Sequence, residues 1–115
     1  MKITINNILP ISVNAAYRTW RGRVLISAKG REFKQIICKK LTELNLTKIE
    51  GKIEMSIIYY FKDNRCRDID NYQKVLIDCM KDILFEDDKM IYKLILEKHI
   101  GYGSNKIIID IKSII

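Results

Sequence analysis

Ten residues near the middle of the chain leave it little conformational choice. From Lys52 to Phe61, the side chains of Ile53, Met55, Ile57, Tyr59 and Phe61 alternate with Lys52, Glu54 and Ser56. Successive side chains of a strand point to opposite faces, so this stretch predicts a strand with one face buried. Something must cover that face. Two apolar stripes at helical spacing are available: Phe33, Ile36, Ile37, Leu41 and Leu44, and Tyr72, Val75, Leu76, Cys79, Met80 and Ile83. Ser27 suits the N-cap of the first helix, and Asp70 with Gln73 three residues on resembles a capping box for the second.

Residues 2–9 alternate and predict a first strand ended near Pro10, after which Pro10 to Trp20 lacks a period and predicts an irregular loop. Val24–Ile26 reads as a short strand. Residues 90–100 and 106–114 read as two more, joined by Gly101-Tyr102-Gly103-Ser104-Asn105 into an antiparallel hairpin. The expected architecture is α+β (mixed α/β): a single domain over 1–115, with two main helices packed on a mixed sheet.

A chain of 115 residues buries roughly 65% of its unfolded surface, enough for a core without staples. Three cysteines (Cys38, Cys66, Cys79) and one histidine, His99, offer neither a zinc set nor a disulfide framework. No apolar run is long enough to span a bilayer and no secretory leader opens the sequence, so a cytoplasmic protein without membrane contact is expected. The net charge is +7, a balance that phosphate backbones reward through counterion release. Between residues 10 and 34 there are six Lys/Arg against the single acid Glu32, with Tyr17 and Trp20 among them. These aromatics suit either contact with unstacked bases or packing in the core or a dimer.

The residues with most chemical potential follow the central strand: Arg65-Cys66-Arg67-Asp68-Ile69-Asp70-Asn71-Tyr72-Gln73-Lys74, answered downstream by Glu86-Asp87-Asp88-Lys89. Asp68 and Asp70, two apart in an extended approach, share a face, and Lys74 lies one helical turn beyond Asp70. Asp87 and Asp88 would join them if the following strand lay alongside. Crowded carboxylates repel one another unless a cation joins them. A hard divalent ion such as Mg²⁺ takes carboxylate and phosphate oxygens together, and a nearby lysine suits phosphodiester chemistry. The D-x-D-N run fits a calcium loop poorly, because Tyr72-Gln73 stands where an acidic or amide residue and glycine belong. Sugar-nucleotide transfer and glycoside hydrolysis are weaker readings on size and charge. A purely structural reading also fits: Asp70 as a cap, Lys74 paired with Asp78, and Asp87-Asp88 as an exposed turn.

At Arg67-Asp68-Ile69-Asp70-Asn71 with Gln73-Lys74, and at Asp87-Asp88, the sequence resembles the RusA family of Holliday-junction resolvases, small endodeoxyribonucleases common in prophages. Leu9-Pro10 with Asn14, and Arg21-Gly22-Arg23 leading to Ser27-Ala28-Lys29-Gly30, extend the likeness from Leu9 to about Tyr92. The resemblance implies a homodimer that binds four-way DNA junctions and nicks two opposing strands symmetrically with Mg²⁺ or Mn²⁺, in recombination and repair. It implies Asp68, Asp70 and Asp88 as metal-binding catalytic acids, Asp87 as the weaker metal candidate, and Lys74 as the catalytic lysine. Arg18, Arg21, Arg23, Lys29, Arg65 and Arg67 are the expected DNA contacts. Two rivals stand beside this reading: a catalytically silent DNA-binding protein of a mobile element, and a nuclease for flaps or other branched DNA.

Overall fold

The alternating stretch becomes the most buried strand of the protein, and the rest assembles around it. In the computed structural model, which describes residues 1–114, the elements run β1 (Lys2–Asn6), α1 (Val13–Ala16), β2 (Tyr17–Trp20), β3 (Arg23–Ile26), α2 (Ala28–Glu43), β4 (Ile53–Tyr60), α3 (Gln73–Met80), β5 (Ile91–His99) and β6 (Lys106–Ser113). The main sheet has the order β1-β6-β4-β5; β2 and β3 form a separate hairpin. β4 pairs with β6 antiparallel and with β5 parallel, so the sheet is mixed and the fold α+β, as expected.

Ile53, Met55, Ile57, Tyr59 and Phe61 are at most 1% exposed, and with Ile107, Ile109 and Ile111 of β6 and Ile3 and Ile5 of β1 they form one side of a single core. Helices α2 and α3 supply the other side through Phe33, Ile37 and Leu41, and through Val75, Leu76, Cys79 and Met80. The stripes of both helices are therefore used as their spacing predicts, except that Ile36 and Leu44 remain exposed. Ser27 caps α2: its hydroxyl accepts from the Gly30 amide at 3.0 Å and donates to the Ala15 carbonyl at 2.6 Å. Gly30 is needed there, since a Cβ would lie 2.6 Å from the Ala16 carbonyl oxygen and 2.9 Å from Ile26 Cγ1. This close approach seats the short α1 on α2.

Several expectations are corrected. β1 stops at Asn6, because Asn7 turns the chain with φ 55°. The stretch from Pro10 to Trp20 is not irregular throughout; it holds α1, capped by Ser12, and β2. Helix α3 starts at Gln73 without a side-chain cap and ends at Met80 rather than Ile83, so Asp70 is not its N-cap. β5 and β6 do not pair as a hairpin. They lie on opposite sides of β4, and the segment between them crosses the end of that strand. Tyr102 N–H donates to the Phe61 carbonyl at 2.9 Å and Lys62 N–H to Asn105 Oδ1 at 2.7 Å. The backbone groups past Tyr60 are satisfied by the end of β5, through Phe61 N–H to the His99 carbonyl at 2.8 Å, and by the crossing loop.

Candidate active site

The approach from β4 to α3 is set by a clamp. Arg67 places its guanidinium 3.0 Å from both oxygens of Asp63 and 4.3 Å over the Phe61 ring, and its side chain is only 12% exposed. The Arg67 guanidinium beside Asp63 holds that carboxyl below its ordinary range. Lys98 of β5 donates to the Arg67 carbonyl, tying the far end of β5 to this loop. Arg65 remains exposed. Asp68 then caps a 3₁₀ turn, Ile69–Asn71, by accepting from the Asp70 amide at 3.1 Å. The cap is therefore the first acid of the pair. It leaves the Asp70 carboxylate exposed at the start of α3, where Gln73 Nε2 donates to it at 2.9 Å. The Gln73 Oε1 beside it is buried and has no hydrogen-bond partner among the described residues.

Lys74 stands on the first turn of α3, 64% exposed, with Nζ 3.5 Å from Asp78 Oδ2. The same carboxylate oxygen accepts from the Tyr17 hydroxyl at 2.8 Å. Burial, and then the bond to Asp78, push the Tyr17 phenol above its ordinary pKa, so it stays a neutral donor. Lys74, Gln73 and Asp78 line a groove of about 370 Å³ with Asp88, Tyr92 and Leu94. Asp87 caps a second 3₁₀ turn, Asp88–Met90, by accepting from the Lys89 amide at 3.0 Å. That amide first, and contact with the Asp88 carboxyl second, hold the Asp87 carboxyl below its ordinary range.

The sequence suggests that the strand after Asp88 runs beside the first acidic pair, and β5 does contact the Ile69–Asn71 turn. The three acids nevertheless do not gather within the chain. Because β4 and β5 are parallel, Ile91 pairs with Ile53 and His99 with Tyr60. The Asp87–Asp88 turn, just before Ile91, sits at the start of β4, whereas Asp68 and Asp70 follow its end. Helix α3 covers part of the return journey, about 12 Å at 1.5 Å per residue, and residues 81–87 the rest. Among the described residues no group of three or more His, Cys, Asp or Glu could hold a metal ion. The donors fit a hard cation in kind, all being oxygens, with an unpartnered amide oxygen on Gln73 beside Asp70.

The basic candidates occupy three places. Arg18, Arg21 and Arg23 are exposed on the β2–β3 hairpin. Its turn residues Arg21 and Gly22 both have positive φ (49° and 75°), the conformation that matches strand twist in a two-residue hairpin. Trp20 is 61% exposed with the Arg21 guanidinium 5.6 Å from its ring centroid, so this aromatic lies outside the core; Tyr17 is half-buried. Lys29 and Arg67 line a second groove of about 510 Å³ beside residues 7–12. The link from Tyr17 to Asp78 was not legible in the sequence, although the Lys74–Asp78 spacing was.

A basic α+β domain with exposed oxygen donors and a lysine around one short helix has the make-up of a phosphodiester-cleaving enzyme. The sequence matches the family model described as Endodeoxyribonuclease RusA over residues 8–112, and the chain belongs to that family. It is accordingly an endodeoxyribonuclease, a hydrolase of DNA phosphodiester bonds, in a family of Holliday-junction resolving nucleases that bind branched DNA. Among curated proteins, none matches the chain. Among the described residues no helix is long and apolar enough to cross a membrane.

Proposed function

We propose that residues 1–115 act as one nuclease domain, and that the chain resolves four-way DNA junctions in the cytoplasm during recombination and repair, as a Mg²⁺-dependent homodimer. Mn²⁺ is the expected substitute ion. The observation that carries this reading is that the acids form no three-ligand cluster among the described residues of one chain, together with the free outer edge of β5. Tyr92, Leu94 and Ile95 of β5 are 66%, 38% and 46% exposed, and among the described residues no strand pairs with its outer side. An edge of this kind is a template for another chain.

Antiparallel pairing of β5 with β5 of a second copy, centred on Ile95, sets Lys93 opposite Glu97 and Ile91 opposite His99 in both directions. The strand is therefore self-complementary in charge, as a two-fold interface requires. The same pairing carries the Asp87–Asp88 turn of one copy towards the Asp68–Asp70 turn of the other. Each such union assembles the acids that one chain keeps apart, and a dimer holds two of them, matching the two-fold symmetry of a four-way junction. Asp68, Asp70 and Asp88 would hold the divalent ion, with Asp87 in support. Held by those carboxylates, such an ion would supply the Lewis acidity for activating a water and for stabilising the leaving oxygen. Lys74 places its ammonium where charge builds on the phosphate oxygens as the bond breaks. Arg18, Arg21, Arg23, Lys29 and Arg65 supply backbone contacts, while Arg67 acts chiefly by holding the loop in shape.

The test is a cleavage assay on a synthetic four-way junction with Mg²⁺, with linear duplex and flap DNA as controls. Wild type should give paired symmetric nicks confined to the junction, and Asp70→Asn or Asp88→Asn none. Mixing the two dead variants should then restore about a quarter of the sites, since random exchange makes half the dimers mixed, each with one intact site. No restoration despite confirmed subunit exchange would place all the acids of a site in one chain. Binding without cutting, in either ion, would leave a silent DNA-binding protein; preference for the flap would change the substrate.

A further inference from the structure

The function assigned to Lys74 leaves its neighbour unexplained. Asp78 stands one helical turn below it on α3, and one oxygen of its carboxylate takes both Lys74 Nζ at 3.5 Å and the Tyr17 hydroxyl at 2.8 Å. Tyr17 is the first residue of β2, hydrogen-bonded through its own backbone to α1 and followed at once by the exposed Arg18. Asp78 also lines two grooves. One is the groove of Lys74 and Asp88; the other, of about 490 Å³, lies under the hairpin between Tyr17, Val24, Lys34 and Lys81. A carboxylate on the wall of two grooves that lysines also line would repel phosphate, so it needs a reason to be there.

We propose that Asp78 is a positioning residue that links the basic hairpin to the catalytic lysine: Tyr17 fixes the carboxylate, and the carboxylate fixes the Lys74 ammonium. This rests on the reading of Lys74 as the group that meets the scissile phosphate. A lysine side chain has four rotatable bonds and loses much freedom when held in one place. An exposed i,i+4 pair alone restrains it weakly. A carboxylate that is already locked by a neutral phenol, itself half-buried at the root of the hairpin, presents one oxygen at a fixed point. Movement of the hairpin on binding DNA is then transmitted to Lys74 through one hydrogen bond and one ion pair.

The experiment measures junction affinity and single-turnover cleavage separately for Asp78→Asn, Tyr17→Phe and Lys74→Ala, and for Asp78→Asn in the Lys74→Ala background. Asp78→Asn should slow the chemical step about 10-fold, the scale of a misplaced catalytic group, while binding stays equal or tightens because a negative charge has gone. Tyr17→Phe should slow it about 3-fold with affinity unchanged, since only the anchor of the carboxylate is lost. In the Lys74→Ala background Asp78→Asn should add nothing, because its effect runs through the lysine. An equal, additive loss in that background overturns the link. Cleavage undiminished by Asp78→Asn while Lys74→Ala abolishes it also overturns the link, and leaves the role of Lys74 intact. Should Lys74→Ala itself cut normally, it is that role that fails. Carbon relaxation at Lys74 Cε reads the tether without any cleavage: its order should fall in both Asp78→Asn and Tyr17→Phe, and unchanged order in the two variants would sink the proposal.

Discussion

Strands β4 and β5 lie side by side in the same direction, yet one is sealed in the core and the other exposes almost every residue. On β4 the inward side chains are at most 1% exposed; on β5 only Ile91 and Leu96 are even half-buried. The cause is position. β4 has a partner on each side and helices α2 and α3 over one face, whereas β5 is the last strand and the helical layer stops short of its outer edge. The apolar side chains of β4 serve the stability of the chain itself. Those of β5 are more apolar than an exposed edge has reason to be, and a second copy would make use of them.

Substitution at matched apolar positions should expose this difference most strongly. Ile57→Ala on β4 should cost about 4 kcal/mol in urea unfolding, through lost burial and a cavity in a close-packed layer. Ile95→Ala, at protein concentrations where the chain is monomeric, should change stability by no more than about 0.5 kcal/mol. Equal losses at the two sites would mean that β5 is covered within one chain. Ile95→Lys asks the converse question. Two lysines facing each other at the centre of a β5–β5 interface should weaken dimerisation about 100-fold, close to 3 kcal/mol, with the monomer still folded. Sedimentation velocity with circular dichroism reads both; an undisturbed dimer would move the interface elsewhere.

A smaller effect separates the strands in the opposite sense. The Tyr59 hydroxyl is buried with no partner among the described residues, and burial pushes its pKa above the ordinary phenol value. Tyr59→Phe should therefore stabilise the protein by about 1 kcal/mol, because an unpaired buried donor is removed while the ring contacts with Phe61 and Tyr72 remain. A loss instead would show that the hydroxyl has a hydrogen bond, for instance to an internal water.

What the sequence reveals follows the same division. Period-two alternation marks β4 because its two faces differ, and the stripe from Tyr72 to Met80 marks α3 because only one side of that helix meets the sheet. β5 carries Leu94, Ile95 and Leu96 in succession, so no face is specified, and nothing local says which strand it joins. Its pairing with β4, and with it the separation of the acidic turns, depends on a loop that crosses the end of β4 through contacts distant in sequence. The residues Asp68, Asp70, Lys74 and Asp88 were visible as chemistry at recognisable spacings; their arrangement in space was not. The caps were visible as a residue type, but which aspartate would cap depended on a 3₁₀ turn that spacing does not encode. Tyr17 meeting Asp78 is a contact 61 residues apart, with no local signal on either side.

The mildest prediction concerns a charge that stitches β4 to both neighbours. Glu54, on the face of β4 away from the helices, meets Lys112 of β6 at 2.8 Å and Lys93 of β5 at 3.1 Å. The hydrogen bond from Lys112, and then that from Lys93, hold the Glu54 carboxyl below its ordinary value of 4.5. A group whose pKa is lower in the folded protein favours folding while it is ionised. That contribution is present above about pH 4.5 and is lost as pH falls through the lower folded-state value. Wild type should therefore lose more thermal stability than Glu54→Gln on acidification through that window, and the two should converge once the carboxyl is protonated. At neutral pH the variant should melt only slightly lower, since such pairs are well solvated and screened by salt. Because Lys93 is also the residue that would face Glu97 across a β5–β5 contact, dimer affinity supplies a second readout. Removing Glu54 frees Lys93 for that pairing, so Glu54→Gln should leave dimerisation equal or slightly tighter while weakening the seam between β4 and β5. A weaker dimer would instead mean that Glu54 orients Lys93 for the second copy, and the two strands would then share one electrostatic unit rather than divide stability from association.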